Sequence, residues 1–108
     1  AASGADIAES GRSGPLVGHV GDGNVHAALL IDPERPEEFE RAKRLADRMA
    51  ERALRLGGTV TGEHGVGMGK LGHMAAEHGG AWQVMGAIKR ALDPDNLLNP
   101  GKVVPPVE

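Results

Sequence analysis

The chain has 108 residues, of which 40% are hydrophobic and 25% charged, and its formal net charge is −3 at pH 7. This length predicts one globular domain with a modest core. The absence of cysteine excludes disulfides and thiolate chemistry, while the acidic balance and the two aromatic residues argue against nucleic-acid binding. No apolar run approaches the roughly 18 residues of a membrane span.

Three parts of unequal length are predicted along the chain. Residues 1–14 are small and polar and contain no signal-peptide pattern, so we expect a flexible lead-in. Residues 15–104 carry the periodic and motif-bearing stretches and are expected to form the domain. Residues 105–108, which begin with Pro105 and Pro106, are predicted to be a solvated tail.

A β-hairpin is predicted first, with strands over residues 15–20 and 24–31. Asp22-Gly23 between β-forming residues favours a two-residue type I′ turn. That turn would set His19 directly opposite His26, with Cβ atoms about 4.5–5.5 Å apart. Two imidazoles on one face are half of a metal site; the alternative is a glycine-rich turn with two incidental histidines.

A long amphipathic helix is predicted next, over residues 36–56. Pro36 suits the first helical position, and Gly57-Gly58 is a C-terminal stop. Its apolar residues recur at spacings of three and four, which favours packing on a sheet over a partner-binding role. They are Phe39, Ala42, Leu45, Ala46, Met49, Ala53 and Leu56.

A short strand over residues 59–61 is predicted to lead into Gly62-Glu63-His64. The helical crossover would make this strand parallel to the second hairpin strand, and the element lengths would bring Glu63 within a side chain's reach of His26. His19, His26 and Glu63 would then be three ligands of a divalent metal with an open position. Zinc fits this set, and so do manganese, iron and cobalt.

His64 follows Glu63 directly and is a candidate general base for a substrate hydroxyl. The alternatives are a fourth metal ligand or a buried, hydrogen-bonded histidine. His73 and His78 are interpreted as surface histidines near a helix. Asp22 is interpreted as a turn residue, with support of a metal ligand as the alternative.

The last third of the chain predicts two helices, over residues 70–78 and 82–92, the second using Trp82, Met85, Ile88, Ala91 and Leu92. Asp93-Pro94 ends the second helix, and residues 96–103 are expected to be a loop with a short strand. The fold class is therefore α+β: an antiparallel or mixed sheet made of a hairpin and a strand, joined by a long helix, with further helices at the C-terminus.

Three ordered motifs resemble the C-terminal part of the FAD-linked oxidases, a family that includes D-lactate dehydrogenase, the FAD-binding subunit of glycolate oxidase and D-2-hydroxyglutarate dehydrogenase. The resemblance extends from residue 17 to residue 104. The motifs are Gly18-His19-x-Gly21-Asp22-Gly23-Asn24-x-His26, Gly62-Glu63-His64-Gly65-x-Gly67-x-x-Lys70 and Ile88-Lys89-x-x-Leu92-Asp93-Pro94-x-x-x-Leu98-Asn99-Pro100-Gly101-Lys102.

The resemblance implies oxidation of a D-2-hydroxy acid by hydride transfer to flavin. It also implies three ligands of a divalent metal that grips the substrate, one base that takes the hydroxyl proton, and two residues that approach the flavin. The implied metal ligands are His19, His26 and Glu63, and the implied base is His64. The residues implied to approach the flavin are Asn99 and Lys102. In the family an FAD-binding domain precedes this region, and the substrate domain is ferredoxin-like. The resemblance therefore implies that the predicted hairpin, long helix and strand form a partial ferredoxin-like sheet.

The chain is therefore expected to be a C-terminal segment that is inactive alone, with FAD bound mainly by the missing N-terminal domain. That domain is the expected partner, and self-association through uncovered sheet edges and helix faces is a second expectation. The parent enzyme is expected in the cytoplasm or peripheral to a membrane. Two alternatives are a non-catalytic folding, oligomerisation or metal-binding module, and a stand-alone metal-dependent hydrolase.

Overall fold

The computed structural model describes residues 15–107 together with residue 5. The predicted lead-in therefore lies outside the described residues apart from residue 5. The chain divides into two compact units, Ala1–Arg52 and Ala53–Glu108. The described part combines helices with a two-stranded antiparallel sheet, which confirms the α+β class. None of its helices is both long and apolar enough to cross a membrane.

The predicted hairpin forms, with shorter strands and a different turn. Strand β1 spans Leu16–His19 and pairs with β2, Asn24–Ala27. The connection is a 3₁₀ turn over Val20–Asp22 followed by Gly23, which alone in this connection takes a positive φ, of 71°. A type I′ turn needs positive φ at both central residues, so the predicted two-residue turn is wrong. Asp22 is a turn residue, as predicted.

Helix α1, Pro36–Arg55, begins and ends where the sequence predicts to within one residue. Before its start, the Asp32 N–H donates to Glu38 Oε2 at 2.7 Å. At its end, the Gly57 N–H donates to Leu54 O at 3.0 Å and the Gly58 N–H to Ala53 O at 2.8 Å. This bond pair, with φ of 80° at Gly57, is a Schellman cap.

The apolar stripe of α1 is buried only in its middle. Leu45 is buried, and Ala42, Met49 and Ala53 are half-buried. Phe39 and Leu56, at the two ends, are 58% and 80% exposed. The predicted amphipathic helix is present, but its terminal apolar residues lie at the surface of the chain.

The strand predicted over residues 59–61 is absent from the described residues, where this segment is irregular. Two of its backbone N–H groups donate hydrogen bonds to side chains and not to a neighbouring strand. The Val60 N–H donates to Glu77 Oε1 at 2.7 Å, and the Thr61 N–H donates to Thr59 Oγ1 at 3.1 Å. The predicted parallel pairing with the second hairpin strand is therefore wrong.

The second unit continues with a 3₁₀ turn at Leu71–His73 and helices α2, Met74–His78, and α3, Gly80–Leu92. Both helices were predicted with the correct C-terminal ends, but α2 begins four residues later and α3 two residues earlier than predicted. Gly79 separates them with φ of 55°. Met74 is buried, whereas residues 96–103 form a loop without the predicted strand.

The buried face of α3 differs from the predicted one. Ile88 and Leu92 are 56% and 82% exposed, whereas Gly86 is buried. A Cβ at Gly86 would lie 3.2 Å from Pro105 Cδ, so the missing side chain is what lets Pro105 approach the helix. Pro105 is buried, and the prediction of a solvated tail is wrong at that residue; Pro106 is exposed.

Candidate active-site loops

His19 and His26 lie on one face of the hairpin, offset by two residues. His19 pairs with Asn24, and His26 pairs with Val17. Because Asn24 and His26 are two residues apart on one strand, they share a face with His19. The two histidines are diagonal neighbours, a relation that separates residues by about 7–8 Å. The prediction that His19 lies directly opposite His26 is wrong. The error in register is two residues, which leaves both histidines on the same face, whereas an error of one residue would have placed them on opposite faces.

Glu63 and His64 occupy the two central positions of a turn. The turn is closed by the Gly65 N–H, which donates to Gly62 O at 3.1 Å. The two side chains lie side by side, with His64 Nε2 3.8 Å from Glu63 Oε1. The His64 side chain is 81% exposed and the Glu63 side chain 48% exposed. The alternative of a buried structural histidine at His64 is therefore wrong. This turn offers a carboxylate and an imidazole to solvent or to a ligand.

A nearly buried carboxylate, Glu77, holds the segment in front of this turn. It accepts the Val60 N–H and a hydrogen bond from the Thr59 side chain, and its Oε2 lies 2.8 Å from His78 Nε2. Burial alone raises the pKa of Glu77, but these hydrogen bonds and the charges of His78 and His73 outweigh it, so the pKa lies below its ordinary value.

The environment of Glu77 also corrects the interpretation of His78 as a surface histidine. The His78 side chain is 32% exposed, and its imidazole lies within hydrogen-bonding distance of the Glu77 carboxylate. His73 is half-buried. Both histidines therefore belong to the packing around helix α2, although the sequence pattern suggested exposed positions.

Asn99 and Lys102 lie in the loop after α3. Lys102 Nζ is 3.5 Å from Asn99 Oδ1. Asn99 is exposed and has φ of 44°, and Lys102 is half-buried. Asparagine tolerates this left-handed backbone better than most residues. The loop therefore presents an amide and an ammonium group close together.

Asp93 and Lys89 fix the start of this loop. Asp93 accepts the N–H groups of Leu97 and Leu98 at 3.0 and 2.9 Å and pairs with Lys89. Lys89 Nζ also donates to Leu98 O at 2.7 Å. The hydrogen bond from Lys89, followed by those from the two backbone N–H groups, lowers the pKa of Asp93 from 3.8 to about 2.

Two further hydrogen bonds attach the end of the loop to other parts of the second unit. The Val103 N–H donates to Gly67 O at 2.9 Å, and Trp82 Nε1 donates to Val103 O at 2.8 Å. Gly67 lies three residues after His64 in the sequence, within the same motif. The structure thus connects the motif that contains Glu63 and His64 with the one that contains Asn99 and Lys102.

Sequence reasoning missed the supporting residues Glu77, Lys89 and Asp93. Lys89 and Asp93 had a visible signal, since a lysine and an aspartate four residues apart lie on one helix face. Glu77 had none, because its main partner, Val60, is 17 residues away in sequence.

The chain is similar in sequence to known proteins of the family that its motifs resemble. The family described as FAD linked oxidases, C-terminal domain, matches residues 4–103. The chain therefore belongs to this family of C-terminal domains.

Three relatives illustrate the similarity. A probable mitochondrial D-lactate dehydrogenase of Danio rerio is 46% identical over 101 residues, which cover 93% of this chain and 20% of the relative. The D-lactate dehydrogenase [cytochrome] 1 of Saccharomyces cerevisiae, also mitochondrial, is 46% identical over 99 residues, which cover 91% of this chain and 16% of the relative. The glycolate oxidase subunit GlcD of Escherichia coli K12 is 43% identical over 88 residues, which cover 81% of this chain and 18% of the relative. The chain thus spans a fifth or less of the length of these relatives.

Proposed function

We propose that this chain is a C-terminal segment of an FAD-dependent 2-hydroxy-acid dehydrogenase or oxidase of the D-lactate or glycolate type. The observation that carries the proposal is the family match over residues 4–103, together with relatives named as D-lactate dehydrogenases and a glycolate oxidase subunit. The segment supplies the metal-binding and proton-accepting part of the active site and is inactive by itself.

His19, His26 and Glu63 are the proposed ligands of a divalent metal, with zinc as the first candidate. Their donor atoms suit that metal, because imidazole nitrogen and carboxylate oxygen are ordinary zinc ligands. Two observations within the units support the set: the histidines share one hairpin face, and Glu63 lies in an exposed turn. When bound, the metal would polarise the substrate's hydroxyl and carboxylate oxygens.

His64 is the proposed general base. Its imidazole is 81% exposed beside the Glu63 carboxylate, so it is accessible to a substrate and to proton exchange with water. In the oxidation of a 2-hydroxy acid to a 2-oxo acid, one of its nitrogens accepts the hydroxyl proton while the substrate's C2 loses a hydride. FAD supplies the acceptor for that hydride.

Asn99 and Lys102 are proposed to contact the flavin. Both carry hydrogen-bond donors, they lie within 3.5 Å of each other, and the start of their loop is fixed by Asp93 and Lys89. FAD itself is proposed to be bound mainly by the preceding domain of the complete enzyme. In that enzyme we expect the hairpin and α1 to belong to a ferredoxin-like substrate domain.

The preceding FAD domain is the proposed partner, and self-association of this chain is a second proposal. Several large apolar side chains are exposed, among them Leu56, Ile88 and Leu92, and such surfaces favour contact with other protein. The same observation supports the alternative of a non-catalytic folding or oligomerisation module. A cytoplasmic location, or a peripheral membrane location of the parent enzyme, stays a prediction; two of the relatives are named as mitochondrial proteins.

Isothermal titration of the chain with Zn²⁺ tests the metal site. We expect one site, weakened about tenfold or more by His19→Ala, His26→Ala or Glu63→Ala, because each change removes a ligand. Glu51→Ala is the matched control that removes an exposed carboxylate elsewhere, and it should leave the affinity unchanged. Equal affinity in all four variants would contradict the ligand assignment.

A further inference from the structure

Glu77 links helix α2 to the segment that precedes Glu63 and His64. Its side chain is only 10% exposed, and its Oε1 accepts the Val60 N–H at 2.7 Å. An enclosed carboxylate is costly unless hydrogen bonds satisfy it. Its partners therefore strongly favour one position of the Thr59–Val60 backbone relative to the helix.

The hydrogen bonds continue from Glu77 toward the turn. Thr59 bonds Glu77 through its side chain, and its Oγ1 also accepts the Thr61 N–H at 3.1 Å. The next residue, Gly62, accepts the bond that closes the turn around Glu63 and His64. Each step restrains the residue that follows, so displacement of residues 59–61 would displace the turn.

We propose that Glu77 is a positioning residue, which holds the Gly62–Gly65 turn in the orientation that Glu63 needs to bind metal and His64 needs to act as base. The proposal rests on the function proposed above. Glu77 acts as a hydrogen-bond acceptor for Val60 and Thr59 and does not itself touch metal or substrate. A glutamine, which keeps an acceptor oxygen at the same reach, should therefore largely replace it, whereas an alanine should not.

The test compares the full-length chain with Glu77→Ala and Glu77→Gln, at a temperature well below the melting temperature of each variant. Zn²⁺ affinity is measured by calorimetry, and amide hydrogen exchange of residues 60–65 by NMR. We expect Glu77→Ala to weaken zinc binding about 10-fold or more, as loss of ligand-supporting contacts typically does, and to accelerate exchange at Val60 and Gly65. Glu77→Gln should stay within about threefold of the wild-type affinity.

Asp95→Ala is the matched control, since it removes an exposed carboxylate of the same unit and should change neither quantity. A folded Glu77→Ala chain with wild-type zinc affinity and wild-type exchange at Gly65 would overturn the proposal, because a role confined to Thr59 and Val60 predicts that result. If Glu77→Ala does not fold, Thr59→Val removes both the bond to Glu77 and the acceptor of the Thr61 N–H, and unchanged exchange at Gly65 overturns the proposal.

The failure of the proposed function would look different. A wild-type chain that binds no zinc contradicts the metal assignment, but the exchange measurements still decide whether Glu77 orders the turn. Accelerated exchange at Gly65 in Glu77→Ala that Glu77→Gln reverses supports the positioning role in either case.

Discussion

Asp93 shows how much local structure one carboxylate can organise. It ends helix α3, accepts two backbone N–H groups from the following loop and pairs with Lys89. The helix end at Asp93-Pro94 was predicted from the restriction that proline places on the residue before it. The bonds to Leu97 and Leu98 were not predicted, because the path of the loop depends on where its later residues attach.

The lowered pKa of Asp93 predicts a specific loss of stability in acid. Its folded-state pKa is about 2 and its ordinary value 3.8, so the ionised group stabilises the fold above pH 4. This contribution is lost as the pH falls from about 4 to 2. In thermal melts from pH 7 to pH 2, we expect Asp93→Asn to melt below wild type at pH 7 and the two melting temperatures to converge near pH 2.

The other carboxylates are the same in both proteins, so the difference between the two melting curves isolates Asp93. A difference that stays constant from pH 7 to pH 2 would contradict the assigned pKa. Asp95→Asn, in the same loop region but exposed, should melt in parallel with wild type over the whole range.

At the scale of elements, signals contained within one segment were reliable and pairing between segments was not. Helix α1 was predicted to within one residue because proline, the apolar period and the Gly57 cap all act locally. The hairpin register was wrong by two residues on the partner strand because three residues, Val20–Asp22, form a 3₁₀ turn. The strand at 59–61 failed because a distant side chain, Glu77, takes the Val60 N–H.

Alanine substitutions at Gly18 and Gly21 test how closely the two strands of the hairpin approach each other. A Cβ at Gly18 would overlap Asn24 O and lie 2.8 Å from Val25 Cα, whereas at Gly21 it would meet nothing within 4 Å. We expect Gly18→Ala to lower the free energy of unfolding by about 1–3 kcal/mol through the forced backbone shift. Gly21→Ala, at a residue without positive φ, should be neutral or stabilise the chain by up to about 1 kcal/mol.

Urea unfolding measures both changes, and NMR shifts of residues 16–27 show whether the hairpin moves. Equal destabilisation by the two alanines would contradict the assigned cause, since a Cβ at Gly21 makes no close contact with the opposite strand. The comparison also bears on the metal proposal, since His19 directly follows Gly18 in β1.

At the scale of the whole molecule, the chain belongs to a family of C-terminal domains and covers 20% or less of the three relatives described above. We predict that, mixed with FAD and either D-lactate or glycolate, it will retain no flavin after desalting and will not reduce an artificial electron acceptor. A complete D-lactate dehydrogenase is the positive control. Bound flavin with turnover by this chain alone would contradict the proposal that it is inactive by itself.

The sequence by itself determined the family, the α+β class, the extent of α1 and the C-terminal ends of α2 and α3, because motif residues, apolar periods and helix caps act over a few neighbouring positions. Only the tertiary structure decided the hairpin offset between His19 and His26, the buried face of α3 and the hydrogen bonds of Glu77, Lys89 and Asp93. These features depend on which backbone N–H groups and small residues meet across long sequence separations. Pro105 against Gly86 is such a contact, and neither residue's own sequence neighbourhood indicates it.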